Sequence, residues 1–262
     1  MQLARDMRRN MAQGNMMLGT FVVELRTPAV ARILQQHGFH FMLVDTEHGC
    51  FDPDVVAQHI QAGKRWGVCP LVRVPGPDRT EIKRVLDAGA EGVMVPMCQT
   101  LEEVGQAVES SKYPPLGLRG AHFTRPHTEF ANPADMGEYM AAANEALLTI
   151  IQIETLPAAE KVEEIAALPG VDMLYMGPGD LSIAMGIPGQ IAHREVMEVV
   201  QRMGEACRRH GKLCGCHFAD PAVLPELKRL GVQFAGYGAV IRMLQSGVQS
   251  MAASAHHALQ GV

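Results

Sequence analysis

At 262 residues and 28.5 kDa, the chain folds from about 41,000 Å² of unfolded surface to roughly 11,000 Å², so it needs no disulfide staples. Hydrophobic residues make up 47% and charged residues 19%, which excludes disorder as the main state. With 23 Lys plus Arg against 28 Asp plus Glu, the net charge is −5, without the basic excess or basic run by which proteins neutralise nucleic-acid phosphates.

In chain order, residues 1–20 scatter Arg5, Arg8 and Arg9 among apolar residues and lack the continuous apolar core of a signal peptide. No stretch approaches the roughly 18 apolar residues of a membrane span, and a cytoplasmic location with no membrane partner is expected. The predicted elements then begin with strand 19–25, helix 28–37, strand 39–45, helix 53–66, strand 69–74, helix 78–87, strand 92–96 and helix 101–110. After an interruption come strand 147–154, helix 157–167, strand 172–177, helix 193–210, strand 212–217, helix 221–230, strand 233–238 and helix 239–255. The strands are mostly continuous apolar runs, as in parallel sheets covered by helices. The expected fold is therefore α/β: a single (β/α)8 TIM barrel domain over 1–262. An open doubly wound sheet ranks second, because no GxGxxG turn follows the first strand.

The interruption, YPPLGLRGAHFTRPHTEFAN at 113–132, is too rich in Pro, Gly and His for a helix or central strand. It is expected to be a long loop over one barrel face, either functional or a solvated connector. Cys50, Cys69, Cys98, Cys207, Cys214 and Cys216 lack paired CxxC spacing and read as reduced, mostly buried thiols. On a strand, Cys214 and Cys216 share one face and His217 takes the other.

A closed barrel gathers the carboxyl ends of its strands at one mouth. There the sequence delivers Asp45, Glu47 and His48 after the second strand, Arg73 on the third, Gln152 and Glu154 on the fifth, Gly177-Pro178-Gly179-Asp180 after the sixth and His217 on the seventh. Glu154 and Asp180 lie one strand-helix unit apart. Such hard carboxylates suit Mg²⁺ or Mn²⁺, with an N-cap as the alternative for each. Gln152 either orients a water or is a satisfied core amide. Arg73 either stabilises an enolate or carboxylate oxygen or forms a salt bridge with Asp45 or Glu47. His48 is a candidate general base. None of Lys64, Lys83, Lys112, Lys161, Lys212 and Lys228 ends a predicted strand, which disfavours a Schiff-base mechanism.

The stretches VDTEHG (44–49), LVRVPG (71–76), IKRVLDAGAEGVMVPM (82–97), KYPPLGLRG (112–120), IIQIET (150–155) and GVDMLYMGPGDLS (170–182) resemble the HpcH/HpaI family of metal-dependent pyruvate aldolases. The resemblance implies a class II aldolase that reversibly cleaves a 4-hydroxy-2-oxo acid to pyruvate and an aldehyde through a metal-bound enolate. It implies Glu154 and Asp180 as ligands of a divalent cation, Mg²⁺ or Mn²⁺ with Co²⁺ also admitted, and Gln152 as a water-orienting neighbour. By the same likeness Arg73 stabilises the enolate oxygen, His48 is the base or water-activating group with Asp45 nearby, and Asp87 reaches in from an adjacent subunit. The amides of Gly179 and Asp180 then hold the pyruvate carboxylate. An eighth helix packed on a neighbouring subunit and a homohexamer built as a trimer of dimers complete what the family implies.

The chain departs from the family pattern at Arg119-Gly120-Ala121-His122-Phe123-Thr124-Arg125-Pro126-His127 and at His217. Thr124 and Arg125 are expected to replace a Ser-Arg pattern, with Thr124 as a substrate-binding candidate, His122, Phe123 and His127 are expected near the acceptor pocket, and His217 is expected to face the aldehyde. A related lyase or hydrolase acting on an acyl-CoA or phosphonate is the alternative, although only scattered Arg125, Arg194 and Arg242 offer phosphate contacts. A non-catalytic metabolite-binding barrel is the third reading.

Overall fold

A computed structural model describes residues 1–260. Eight strands, β1 Met17–Val22, β2 Phe41–Asp45, β3 Cys69–Arg73, β4 Gly92–Val95, β5 Leu148–Ile153, β6 Met173–Met176, β7 Leu213–Phe218 and β8 Phe234–Ala239, close into a barrel in chain order. Each pairs in parallel with its neighbour, and β8 returns to β1. The helices are α1 Gln2–Ala12, α2 Ala29–Gln36, α3 Pro53–Trp66, α4 Arg79–Asp87, α5 Leu101–Ser111 and α6 Met136–Ala146. They continue with α7 Leu156–Glu160, α8 Val162–Ala167, α9 Pro178–Ala184, α10 Arg194–His210, α11 Leu224–Arg229 and α12 Val240–Gln260.

The two-residue strand period sorts side chains onto two faces. Val44, Val72, Val93, Ile151, Leu174 and Cys216 face outward into the layer shared with the helices. Phe41, Leu71, Met94, Ile150, Met173 and Phe234 fill the inside. Phe41 and Phe234 stack with centroids 3.6 Å apart, and a Cβ at Gly19 would come within 2.2 Å of the Phe41 ring. Glycine there lets two aromatic rings occupy one barrel layer.

Four elements differ from the sequence expectation. Residues 2–12 form α1, whose Ala4, Met7 and Met11 join the inner core at the amino-terminal end of the barrel. Its short apolar stripe becomes a helix by docking, since isolated helices of this length are marginal. Helix α6 fills part of the interval before β5, with Asp135 accepting from the Glu138 amide at 2.8 Å as its N-cap. The expected helix 157–167 is two short helices hinged at Lys161, which has φ −104° and ψ 22°. The turn at 177–180 opens α9.

Only Val240 of α12 is buried, and Leu244, Val248, Met251 and Leu259 are exposed. The chain accordingly exposes 12,495 Å², more than the roughly 11,000 Å² expected of a compact monomer. Among the described residues, no helix is long and apolar enough to cross a membrane.

Candidate active site

Inward positions that are apolar deep in the barrel become polar at its carboxyl end. Arg73, the last residue of β3, is buried. Its Nε and Nη2 donate to Asp45 Oδ1 and Oδ2 at 2.9 and 2.6 Å. Asp45 is the register partner of Arg73 across β2 and β3, so the strand pairing itself sets this bidentate geometry. Asp45 Oδ1 also accepts the amides of Glu47 and His48 at 3.1 and 3.4 Å, which shapes the turn after β2. Glu47 Oε2 lies 3.1 Å from Arg73 Nη1, outside hydrogen-bond geometry. The salt-bridge alternative for Arg73 is thus realised with both carboxylates, and the same bridges fix the guanidinium in the mouth.

Glu154 follows β5 and is 2% exposed. Its Oε2 accepts from Gln152 Nε2, and its Oε1 accepts from the Met97 amide at 2.8 Å. Met97 holds φ +57° to present that amide, a left-handed conformation costing a non-glycine residue about 1–3 kcal/mol. A Cβ at Gly177 would lie 2.6 Å from Glu154 Oε2, so only glycine leaves this cradle open. Desolvation, with Glu47 and Asp180 adding negative charge, pushes the Glu154 carboxyl up to about 7. Burial likewise raises Glu47.

Neither N-cap alternative is realised. Thr155 caps α7, and α9 begins at Gly177 with no side-chain cap. That leaves Glu154 and Asp180 as oxygen donors beside one another electrostatically. Among the described residues no group of three or more His, Cys, Asp or Glu side chains forms a metal shell. Two carboxylates leave the remaining coordination positions to water and substrate, as hard divalent cations such as Mg²⁺ prefer. The donor chemistry and the open cradle therefore fit such an ion.

A cavity of about 290 Å³ opens here, lined by Asp45, His48, Arg73, Gln152, Gly179, Asp180 and His217. Phe21 and Tyr175 also line it. Sequence reading missed these two; their signal was the inward strand period, with Phe21 beside Gly19 on β1 and Tyr175 paired with Gln152 across β5 and β6. Arg73 lies over the Phe21 ring, 4.6 Å from its centroid. His217 meets that ring edge-on at 5.3 Å, and burial with the nearby Arg73 charge presses its pKa down to about 4. Gln152 Oε1, Tyr175 Oη and His217 Nδ1 are buried without a hydrogen-bond partner. Each such orphan costs about 1–3 kcal/mol until a water or ligand satisfies it.

Two expected site residues lie elsewhere in this chain. Asp87, at the end of α4, accepts from Arg119 Nη2 at 3.2 Å and borders a separate surface groove with Lys83, Arg84 and Arg125. Thr124 is exposed and its hydroxyl lies 3.4 Å from His122 Nδ1. The loop carrying them is anchored away from the mouth: Phe123 and His127 pack on Tyr139 of α6 at 5.5 and 6.1 Å. The physical reason is apolar burial, since Phe123 and His127 gain shelter against α6 that a strap over a polar mouth would deny them.

A family model described as HpcH/HpaI aldolase/citrate lyase matches residues 18–240. The 5-keto-4-deoxy-D-glucarate aldolase of Salmonella arizonae is 32% identical over 228 residues, 87% of this chain and 88% of that protein. Among solved structures, an HpcH/HpaI aldolase from Desulfitobacterium hafniense DCB-2 has a TM-score of 0.87 at 31% identity, covering 94% of this chain and 95% of that one. A Burkholderia cenocepacia J2315 protein described as belonging to the same aldolase/citrate lyase family has a TM-score of 0.85 at 28% identity, covering 97% and 99%.

Proposed function

Because this chain belongs to the HpcH/HpaI aldolase/citrate lyase family, we propose that it is a carbon-carbon lyase that reversibly cleaves a 4-hydroxy-2-oxo acid to pyruvate and an aldehyde. The observation that carries the reading is a guanidinium fixed by two carboxylates in the cavity that Asp180 and Gln152 also line, with the desolvated Glu154 directly behind it, bonded to Gln152. A divalent cation held by Glu154 and Asp180, whether Mg²⁺, Mn²⁺ or Co²⁺, supplies Lewis-acid polarisation of the 2-oxo group when bound.

The chain's own groups do the rest. Arg73, which Asp45 and Glu47 prevent from turning away, meets the oxygen on which negative charge develops as the C3–C4 bond breaks. Fixed before the substrate arrives, it needs no reorganisation at that moment. In cleavage, His48 at the rim takes the 4-hydroxyl proton, directly or through a water oriented by Gln152, and C3 of the three-carbon fragment then takes a proton back from the same relay to give pyruvate; condensation runs these transfers in reverse. The amides of Gly179 and Asp180 hold the carboxylate of the oxo acid. Asp87, remote from the mouth of its own chain, serves the mouth of a neighbouring subunit.

Assembly belongs to the same proposal. The exposed Leu244, Val248, Met251 and Leu259 of α12 recur on one helical stripe, which packs on a neighbouring subunit within a hexamer formed as a trimer of dimers. Light scattering is expected to give six chain masses, and Leu244→Asp with Met251→Asp to release smaller species. A hexameric mass unchanged in that variant would remove α12 from the interface.

The reaction is tested by deuterium exchange into the methyl group of pyruvate, followed by NMR. Exchange is expected with Mg²⁺ or Mn²⁺ and is lost with EDTA; folded protein that never exchanges refutes the proposal.

A further inference from the structure

The inner face of the mouth holds polar atoms that the mechanism above does not use. Tyr175 on β6 points inward and is fully buried. Its ring crosses glycines of the next two strands, β7 and β8: a Cβ at Gly215 would lie 2.5 Å from Tyr175 Cδ2, and one at Gly236 would lie 2.0 Å from the hydroxyl. Gly236 is also the register partner of His217, and its Cβ position lies 3.6 Å from His217 Nδ1. The hydroxyl of β6 and the imidazole of β7 therefore converge on one bare stretch of β8. Both atoms are buried without a partner, and both residues line the mouth cavity.

Phe21 packs against this pair and against Arg73, whose charge still reaches His217. Its ring carries Arg73 at 4.6 Å and meets the edges of His217 and Tyr175 at 5.3 and 6.5 Å. Arg73 is already engaged by Asp45 and Glu47, so the patch beyond Phe21 offers hydrogen bonds without a counter-charge. An anionic group there would find no free cation, and a purely alkyl group would leave the hydroxyl and Nδ1 unsatisfied. A neutral hydroxyl, donor and acceptor at once, matches both.

We propose that Tyr175 and His217 form a neutral hydrogen-bonding floor that selects aldehydes bearing a hydroxyl group over alkyl aldehydes of the same shape. The inference rests on the aldolase reading, with the oxo-acid end of the substrate at Glu154, Asp180 and Arg73 and the aldehyde-derived end against the floor. It makes Tyr175 and His217 determinants of specificity rather than of bond cleavage.

Glycolaldehyde and propanal differ by a hydroxyl in place of a methyl group, so the experiment condenses each with pyruvate and compares kcat/KM. Wild-type protein is expected to favour glycolaldehyde, and Tyr175→Phe and His217→Leu each to lower the glycolaldehyde-to-propanal ratio by about tenfold. Because each ratio is internal to one protein, any loss common to both aldehydes cancels, and Tyr175→Phe retains the packed ring. Ratios within twofold of wild type in both variants would mean that the orphaned atoms serve only trapped water, and would overturn the floor. Wild-type exchange of the pyruvate methyl then leaves the aldolase reading standing, whereas its absence overturns that reading and this inference together.

Discussion

At the base of the barrel, Lys112 is fully buried and its Nζ donates to Asn144 O, Leu147 O and Asp172 Oδ2 at 2.8, 2.8 and 2.7 Å. Asp172 in turn accepts from the Thr149 amide at 2.8 Å and pairs with Arg8 at 2.7 Å. Glu91 accepts from the Ala4 amide at 2.7 Å and meets the amino terminus at 3.4 Å, which ties α1 to the barrel. At the mouth, built from the opposite ends of the same strands, Gln152, Tyr175 and His217 keep unpartnered atoms and burial raises Glu47 and Glu154. Burial alone does not separate the two ends. What separates the Lys112 cluster from the mouth is saturation: a buried ion whose hydrogen bonds are all met by its own chain fixes structure, whereas neutral polar atoms left bare along a cavity are poised for a guest.

Substitutions at the two ends should therefore fail in different ways. The largest effect is expected for Arg73→Ala, which should cut pyruvate methyl exchange by about 10²–10³ while leaving Mn²⁺ affinity intact in a direct titration. Normal exchange would remove Arg73 from its role. Lys112→Met leaves the buried Asn144 carbonyl without its donor while Asp172 keeps Arg8, and should cost about 1–3 kcal/mol in urea unfolding. The folded fraction should bind Mn²⁺ normally; a weakened metal would show the base and mouth to be coupled.

The pH dependence sharpens the same contrast. Glu154 stands near 7 when folded, above its ordinary 4.5, so the folded state favours the protonated acid. In metal-free protein that stabilisation is full below about pH 4.5 and is lost as pH rises through 7, a difference of about 3 kcal/mol. Glu154→Gln should flatten that portion of the stability profile, measured by denaturant titration across pH. It should also abolish Mn²⁺ binding, which in wild type weakens as pH falls below 7 because protons compete for the carboxylate. A wild-type profile matching that of the variant would place Glu154 in a more solvated setting. The smallest effect belongs to Asp135→Ala, which removes the α6 cap far from either cluster: about 1 kcal/mol by thermal melting, with metal binding and exchange unchanged.

Much of the site was legible because strand periodicity is strict. Placing Arg73 and Asp45 at the ends of apolar strands fixed which way they face, and the two-residue spacing of Gln152 and Glu154 put both on one side. Tyr175 escaped notice because a tyrosine within an apolar run reads as core; its meaning depends on glycines at 215 and 236, far from it in sequence. Asp87 and Thr124 were named from family likeness, and the position of neither in its own chain follows from local pattern. Packing on α6, an element whose apolar face is too narrow to stand out, drew the loop of Thr124 aside.

The sequence by itself determined the alternation of strand and helix, the closed parallel barrel and the gathering of acids, arginine and histidine at one rim. These follow from local periodicity, which the chain carries residue by residue. Tertiary structure alone decided that α1 plugs the base, that Asp45 and Glu47 both hold Arg73, and that Tyr175 and His217 share one floor. Those outcomes depend on which atoms close packing satisfies and which it leaves bare, a balance struck between residues as far apart in sequence as Met11 and Gln233 or Phe21 and His217.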